Sequence, residues 1–168
     1  MGGQSGRSNQ EEALARPPNE NYRKMGLFYR DLFRCHWEFA RPYLGYGEML
    51  RPPKIEGDLP VLPGTPCGQY EPAFPVKAVE GSAWRAHDGT VGLFFLNYDK
   101  TEHEFTWTTD LNEFAGLDES KRLKVTRWSV EKGEEAIGVW AGGVVKQTMT
   151  MGPWGMIALK LEEGGGAE

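Results

Sequence analysis

The sequence SAWRAHDGTVGLFFLN, residues 82–97, predicts two β-strands joined by a turn. Asp88-Gly89 stands between two apolar-rich runs, and this dipeptide favours a two-residue hairpin turn because both central positions need a positive φ. That register pairs Trp84 with Leu93 on one face of the sheet. Residues 93–96 are all apolar, so we expect a central strand that is covered on both faces.

The chain beyond this hairpin continues the β pattern. Turn-forming pairs such as Lys132-Gly133 separate short segments at close intervals, which favours an antiparallel sandwich over a parallel sheet with helical crossovers. The sequence therefore predicts a mainly β fold, with an antiparallel β-sandwich over 76–162 and a flexible Gly-rich tail at 163–168. The further strand candidates are 102–109, 122–130, 137–140, 144–151 and 156–161.

A helical pattern precedes the sheet. In residues 21–44, apolar side chains recur at steps of three and four residues with charged side chains between them, which predicts one N-terminal amphipathic helix. Phe28, Phe33 and Trp37 widen its apolar band beyond one stripe. We therefore expect the helix to leave apolar surface that the β-unit alone does not bury.

The segments around the helix are of a different kind. In residues 45–75, Pro and Gly are too dense for regular helix, which predicts a wrapping connector with an edge strand near Val61. Residues 1–20 are polar and hold too little apolar surface to offset their ordering entropy, so a disordered leader is predicted. The whole chain of 168 residues fits a single domain around one core.

Composition excludes several classes of protein. The net charge of −5 argues against a nucleic-acid partner, because such affinity comes largely from Lys and Arg neutralising phosphates. No apolar run approaches the ~20 residues that span a bilayer, so no membrane segment is expected. The first residues show no signal peptide, and the localisation is left open. Cys35 and Cys67 are too few for a disulfide scaffold and lack the spacing of a zinc site.

Recognisable catalytic motifs are missing from the sequence. Glycine-rich nucleotide loops, nucleophile elbows and zinc-protease motifs do not occur, so no cofactor and no metal are predicted. Glycosidase chemistry needs two carboxylates across one cleft. The acidic candidates fall in loops or on the expected wet faces of strands, and no catalytic residue is assigned among Glu102, Glu104, Asp110, Glu113, Asp118, Glu119, Glu134 and Glu135.

Tryptophans are the candidates for carbohydrate binding, because sugar rings stack on exposed indoles. Trp128 is out of phase with the apolar alternation of its strand, and Trp140 and Trp154 stand beside glycine turns. These three side chains either contact sugar at an exposed rim or fill the ends of the sandwich. Trp84 and Trp107 alternate with apolar neighbours and are predicted to lie in the core.

Residues 43–53, YLGYGEMLRPP, resemble the junction in certain uncharacterised glycosidase-like proteins where the last helix of a catalytic (β/α)₈ barrel gives way to a C-terminal β-domain. Residues 82–97 and 153–159 resemble strands of such domains. The resemblance covers about residues 25–161 and implies a last barrel helix plus a β-sandwich domain. The barrel strands that would hold the catalytic carboxylates are not in this chain, so no site residue is implied.

Three functional hypotheses follow. The first is a non-catalytic accessory β-sandwich domain of a glycoside hydrolase-like protein, which stabilises or flanks a catalytic barrel absent from this chain. That barrel would pack on the helix near Phe28, Phe33 and Trp37. The alternative is a carbohydrate-binding module that contacts polysaccharide through exposed aromatic side chains. The third hypothesis, a self-contained glycosidase, requires a cleft with paired carboxylates, and the isolated chain is expected to hydrolyse no glycoside.

Overall fold

A computed structural model describes residues 20–63, 75–113 and 117–164 of the chain. The predicted leader apart from its last residue, most of the predicted tail, and Cys67 lie outside the described residues. The part that is described is mainly β, with one helical element followed by antiparallel sheets, so the predicted fold class is confirmed.

The helical element changes its geometry halfway. Helix α1 spans Glu20–Cys35 and continues without a break into a π-helical segment, His36–Gly45. Pro42 lies inside that segment. In an α-helix a proline ring clashes with the carbonyl group four residues earlier, and the wider π turn relieves this clash. The backbone N–H of Gly47 then donates to the carbonyl oxygen of Tyr43 at 2.8 Å and ends the helix.

Strands β1 to β11 follow in chain order and form three antiparallel sheets. The six-stranded sheet has the order β1-β5-β6-β11-β8-β9, the three-stranded sheet has the order β10-β7-β2, and β3 pairs with β4. A 3₁₀ turn, Leu111–Glu113, follows β7. The strands are β1 Glu48–Leu50, β2 Lys54–Glu56, β3 Val61–Leu62, β4 Val76–Lys77, β5 Val79–Arg85, β6 Val91–Asn97, β7 His103–Asp110, β8 Arg122–Ser129, β9 Gly133–Ala141, β10 Val144–Met151 and β11 Met156–Glu163.

The six-stranded sheet is covered on both faces. On one face, Leu93 and Phe95 pack with Phe105 and Trp107 of the three-stranded sheet in what we call the sandwich core. On the other face, the helical element packs against the sheet in what we call the helix core, made of Cys35, Phe39, Ala40, Tyr43, Ala86, Phe94, Trp128 and Ala158. Strand β6 supplies side chains to both cores, as expected for its run of apolar residues.

The predicted register of the first hairpin is wrong by one residue. Strand β5 pairs Trp84 with Gly92, and Ala83 lies opposite Leu93. The N–H of Ala86 donates to the Thr90 carbonyl oxygen, and the turn is completed by Gly89 at a φ of 86°. This is a three-residue loop that ends in a left-handed glycine rather than a two-residue turn. Trp84 therefore faces the helix core, on the opposite side of the sheet from Leu93.

The predicted connector contributes strands to both main sheets. Met49 of β1 pairs with Trp84 at the edge of the six-stranded sheet, and Ile55 of β2 pairs with Trp107 in the three-stranded sheet. Val61 lies in β3, as expected for a short strand in this segment. Residues 48–56 thus contribute strands to both layers of the sandwich.

Candidate functional site

The three tryptophans proposed for sugar contact do not share a surface. Trp128 is 3% exposed and lies in the helix core, paired with Ala158 of β11. It is out of phase with Leu123 and Val125 because it points to the opposite face of the sheet, and the helical element covers that face. Its ring offers no surface to a ligand.

The other two tryptophans are partly buried in different places. Trp140 of β9 packs on the sandwich core, with its ring centroid 5.9 Å from that of Trp107. Trp154 lies in the turn before β11 at a φ of 52°, with its ring centroid 5.9 Å from that of Phe28. Carbohydrate binding through Trp128, Trp140 and Trp154 stays a prediction, and their separate positions do not form the flat platform that sugar stacking requires.

The acidic candidates that the structure describes are mostly paired with nearby cations or turn donors. Glu135 accepts from Lys132 at 3.0 Å, and Glu113 accepts from Arg51 at 2.6 Å. Asp118 accepts from the backbone and hydroxyl groups of Ser120, and the hydroxyl hydrogen bond is the main cause that lowers the pKa of Asp118. Such contacts are typical of solvated surface charges and turns.

Three exposed aromatic side chains lie in one line on the helical element. Tyr29, Phe33 and Trp37 follow one another at steps of four residues and form what we call the aromatic stripe; Phe33 is 66% exposed and Trp37 is 65% exposed. This agrees with the expectation that the β-unit leaves part of the helix uncovered. Phe28 is the exception, since it is buried against Trp154.

Arg41 extends the aromatic stripe by one further step of four residues. Its guanidinium carbon lies 5.3 Å from the ring centroid of Trp37 and 5.6 Å from that of Tyr46, and it donates a hydrogen bond to the Tyr46 hydroxyl at 3.2 Å. This hydrogen bond lowers the pKa of Tyr46. Within the described part of the chain, Arg41 has no carboxylate partner. One cation thus links two exposed aromatic rings.

A cleft of about 640 Å³ opens beside this arrangement. The π-helical segment forms one wall, the loop between β5 and β6 forms another, and strands β9 and β11 close one end. Its lining combines aromatic rings with charged side chains, which include Trp37, Tyr43, Tyr46, Asp88, Glu134 and Lys160. We call it the helix cleft.

Hydrogen bonds that connect Tyr43, Thr90 and Asp88 hold the Asp88 side chain in position in the lining of the helix cleft. The Thr90 hydroxyl donates to Asp88 Oδ1 at 2.7 Å, so the Tyr43 hydroxyl, 2.9 Å from Thr90 Oγ1, is the donor in that contact. The Thr90 backbone N–H also donates to Oδ1, and the two hydrogen bonds lower the pKa of Asp88. Burial raises the pKa of Tyr43 to about 12. The Asp88 carboxylate is therefore held ionised and in place.

A second cavity, of about 290 Å³, lies on the other side of the helical element. Its lining is mostly apolar and includes Leu32, Cys35, Leu96 and Met156. Burial raises the pKa of the Cys35 thiol to about 12, so the thiol is protonated and unreactive at neutral pH. The polar side chains in its lining are His36, Glu80, Ser82 and Tyr98.

In residues 20–63, 75–113 and 117–164, no three His, Cys, Asp or Glu side chains are grouped so that they could hold a metal ion. Among the helical segments that the structure describes, none has the length and apolar character needed to cross a membrane.

No protein-family model and no curated protein matches the sequence. The structure is similar to parts of solved glycoside hydrolases. A GH27 β-L-arabinopyranosidase from Geobacillus stearothermophilus shares 12% identity at a TM-score of 0.37, over 54% of this chain and 18% of that chain. The α-galactosidase I from Mortierella vinacea shares 15% identity at a TM-score of 0.36, over 50% of this chain and 20% of that chain. The chain thus spans about a fifth of the length of either enzyme.

The helix cleft was missed in the sequence because its walls come from distant segments. Asp88 and Glu134 are charged residues in a turn and at a strand start, and each alone has the pattern of a solvated surface charge. One signal was available: Trp37 and Arg41 are four residues apart on a predicted helix, a spacing at which side chains meet. The contact with Tyr46 depends on the π-helical segment and could not be read from periodicity.

Proposed function

We propose that this chain is a non-catalytic accessory β-sandwich unit of a glycoside hydrolase-like protein, which packs through its helical element against a catalytic barrel absent from this chain. The observation that carries the proposal is the aromatic stripe. Trp37 and Phe33 are about two thirds exposed on a helix whose opposite side is buried in the helix core. Exposed aromatic patches of this kind mark interaction surfaces.

The composition of the stripe supports a protein partner. Interface cores are enriched in Tyr, Trp, Phe and Arg and depleted of Lys and Glu. Tyr29, Phe33, Trp37 and Arg41 follow one line along the helical element, and three of the four are aromatic. The Arg41 guanidinium, held by Trp37 and Tyr46, is available to a carboxylate of the partner.

The sandwich itself supports a structural role. Its interior is filled by apolar side chains, with Trp107, Phe95 and Phe105 almost completely buried. A filled interior leaves no room for a catalytic cleft between the sheets. The β-unit would thus stabilise the helix on one side while the barrel covers it on the other.

Carbohydrate binding is the second candidate function, and it is favoured by the helix cleft rather than by the tryptophans suggested from sequence. A self-contained glycosidase is the third. The evidence for that function would be hydrolysis of aryl glycosides by the purified chain. This activity would have to disappear when a pair of carboxylates is replaced, for example by Asp88→Asn with Glu134→Gln. We expect no hydrolysis.

The test of the proposal begins with the coding region next to this chain, in frame or adjacent, where we expect a (β/α)₈ barrel. The barrel is then expressed and mixed with the purified chain, and association is measured by light scattering after size exclusion and by calorimetry. We expect a 1:1 complex that Phe33→Ala and Trp37→Ala each weaken about tenfold or more.

Val144→Ala is the matched control, because Val144 is 60% exposed on strand β10 of the three-stranded sheet, whereas the helical element packs on the six-stranded sheet. It should leave association unchanged. Absence of a neighbouring barrel, or a complex that is insensitive to both stripe variants, would contradict the proposal. If the wild-type chain instead forms dimers through the stripe, the partner is a second copy of this chain and not a barrel.

A further inference from the structure

We propose that the helix cleft binds a neutral carbohydrate ring, with Trp37 and Tyr46 as the stacking surfaces and Asp88 as the principal acceptor for sugar hydroxyls. This site differs from the tryptophan set suggested by the sequence, and it goes beyond the structural role proposed above. Its support comes from the size, aromatic lining and charge arrangement of the cleft.

The size and lining suit a sugar. A volume of about 640 Å³ falls within the range of small-molecule sites, which combine aromatic walls with a few fixed polar groups. Trp37 and Tyr46 are 65% and 60% exposed, so both rings offer apolar surface to the cleft. The apolar faces of a pyranose ring match such surfaces, and its hydroxyls need donors and acceptors nearby.

The positive charge of Arg41 disfavours a cationic ligand in the helix cleft. Aromatic rings beside carboxylates commonly bind ammonium groups. Here the guanidinium of Arg41 lies 5.3 Å from the Trp37 centroid and 5.6 Å from the Tyr46 centroid. A second cation at these rings would be repelled by Arg41, whereas a neutral ring can lie on the surface of Trp37 and Tyr46 that Arg41 leaves exposed.

The charged groups that line the cleft do not favour an anionic ligand. Glu38 is paired with Arg34, with 3.0 Å between Oε1 and Nε, so Asp88 and Glu134 are balanced by Arg41 and Lys160. Lys160 is further occupied by Glu134, with 3.1 Å between Nζ and Oε2. The lining charges without an ion-pair partner in the described residues are thus Asp88 and Arg41. An anion on Arg41 would be repelled by Asp88, whereas a neutral polyol can accept from Arg41 and donate to Asp88.

The polar groups of the cleft fit the needs of a polyol. Sugar hydroxyls both donate and accept hydrogen bonds, and the cleft supplies donors from Arg41 and Lys160 together with acceptors from the carboxylates. Both hydrogen bonds from Thr90 go to Asp88 Oδ1, so Oδ2 keeps acceptor capacity for a ligand. Because the hydrogen bonds from Tyr43 through Thr90 to Asp88 fix this carboxylate, Asp88 loses little further conformational entropy when a ligand binds.

Trp37 belongs both to the aromatic stripe and to the cleft. A partner seated on Tyr29 and Phe33 would place the cleft at the margin of the interface, where ligand sites are common. The two proposals can still fail separately. Phe33 does not line the cleft and Asp88 is not part of the stripe, so variants at these positions separate docking from sugar binding.

The experiment is an NMR titration of the ¹⁵N-labelled full chain. The probes are methyl β-D-glucopyranoside, methyl β-D-galactopyranoside and cellohexaose, with tetramethylammonium chloride and sodium glucuronate as the charged comparisons. We expect at least one neutral sugar to shift the indole N–H of Trp37, assigned with Trp37→Phe, with a Kd of about 1 mM, the range of small solvent-exposed sites.

Three variants test the assignment. Trp37→Ala should weaken binding about tenfold, and Asp88→Asn, which keeps an oxygen for Thr90, should weaken it several-fold, while Phe33→Ala should leave it unchanged. Circular dichroism checks that each variant is folded. The proposal is overturned if no neutral sugar shifts Trp37 at about 10 mM. It is equally overturned if a charged probe binds more tightly, or if the shifts occur at Trp140 or Trp154 instead.

Discussion

The two faces of the six-stranded sheet are buried in different ways. On the sandwich face, the sheet packs against a second sheet, and all the buried residues of that cluster are apolar. On the helix face, a single helical element covers a smaller cluster that contains the ionisable side chains Cys35 and Tyr43. The sandwich core is closed from both sides, whereas the helical element is buried on one side and exposed on the other.

The sandwich core holds the fold together, whereas the exposed side of the helical element is available to a partner. Among the described residues, the sandwich core holds 16 buried residues and the helix core 8, so we expect the sandwich core to supply most of the hydrophobic stabilisation. The helix core adds less, but it orients the aromatic stripe and forms one wall of the helix cleft. Both candidate sites therefore depend on how firmly the helical element is held on the sheet.

The sandwich core should show the largest effect of a single substitution. Trp107 is completely buried and contacts Phe95, with 5.3 Å between ring centroids. We expect Trp107→Ala to lower the free energy of unfolding by about 3–5 kcal/mol, because it leaves a cavity that the two sheets cannot close. Urea unfolding measures the loss. A loss below about 1 kcal/mol would show that the sandwich core is not the main source of stability.

Alkaline pH should weaken the helix core selectively. Burial raises the pKa of Cys35 from 9.0 and that of Tyr43 from 10.0, each to about 12. The folded state therefore favours the protonated thiol and phenol, so stability is complete below the ordinary pKa values and falls as the pH rises towards 12. At about 1.4 kcal/mol per pKa unit, the loss by pH 11 is on the order of 2–4 kcal/mol.

Urea unfolding at about pH 8 and about pH 11 checks this expectation. The double variant Cys35→Ser with Tyr43→Phe should be less stable at neutral pH but should lose less on going to alkaline pH. Tyr98, whose pKa is also raised by burial, is present in both proteins and contributes equally. An equal pH dependence in both proteins would show that these two groups ionise freely in the folded state.

A glycine controls how closely the helical element approaches the sheet. A Cβ atom at Gly92 would lie 2.8 Å from the ring carbons of Tyr43 and of Phe94. We expect Gly92→Ala to push the helical element outward and to cost about 1–3 kcal/mol. Gly152→Ala is the control, since a Cβ atom there has no neighbour within 4 Å. Unfolding measurements and the near-ultraviolet spectrum of Trp128 would report the change, and equal stability of the two variants would contradict it.

The packing around Gly92 explains why the sequence predicted the strands correctly but not the register of the first hairpin. Alternation of apolar residues predicted the strands well, and the unbroken run 93–96 correctly predicted a strand buried on both faces. The register failed because Asp88-Gly89 fits both a two-residue turn and the end of a three-residue loop. The choice depends on long-range packing: only the observed register places Gly92 beside Trp84 and beneath Tyr43.

The sequence left the burial of Trp128 open and missed the helix cleft for a related reason. The phase of Trp128 correctly indicated the face opposite Leu123, but no local pattern tells which face the helix covers. The cleft combines Trp37, Asp88 and Glu134, which are far apart in the chain. By contrast, the breadth of the apolar band on the helix was visible in the sequence and correctly predicted uncovered apolar surface. Of the three side chains that widen the band, Phe33 and Trp37 are exposed, whereas Phe28 is buried.

The smallest stability effect is expected on the aromatic stripe. Phe33 is 66% exposed, so Phe33→Ala should change the free energy of unfolding by less than about 0.5 kcal/mol. Phe28, on the same helix but buried against Trp154, is the matched comparison, and Phe28→Ala should cost about 2–4 kcal/mol. If Phe33→Ala instead costs more than about 1 kcal/mol, the ring must be covered in solution.

Unfolding at two protein concentrations then shows whether a second copy of the chain covers the Phe33 ring. An unfolding midpoint that rises with protein concentration indicates a second copy, because only a folded complex gains stability by mass action.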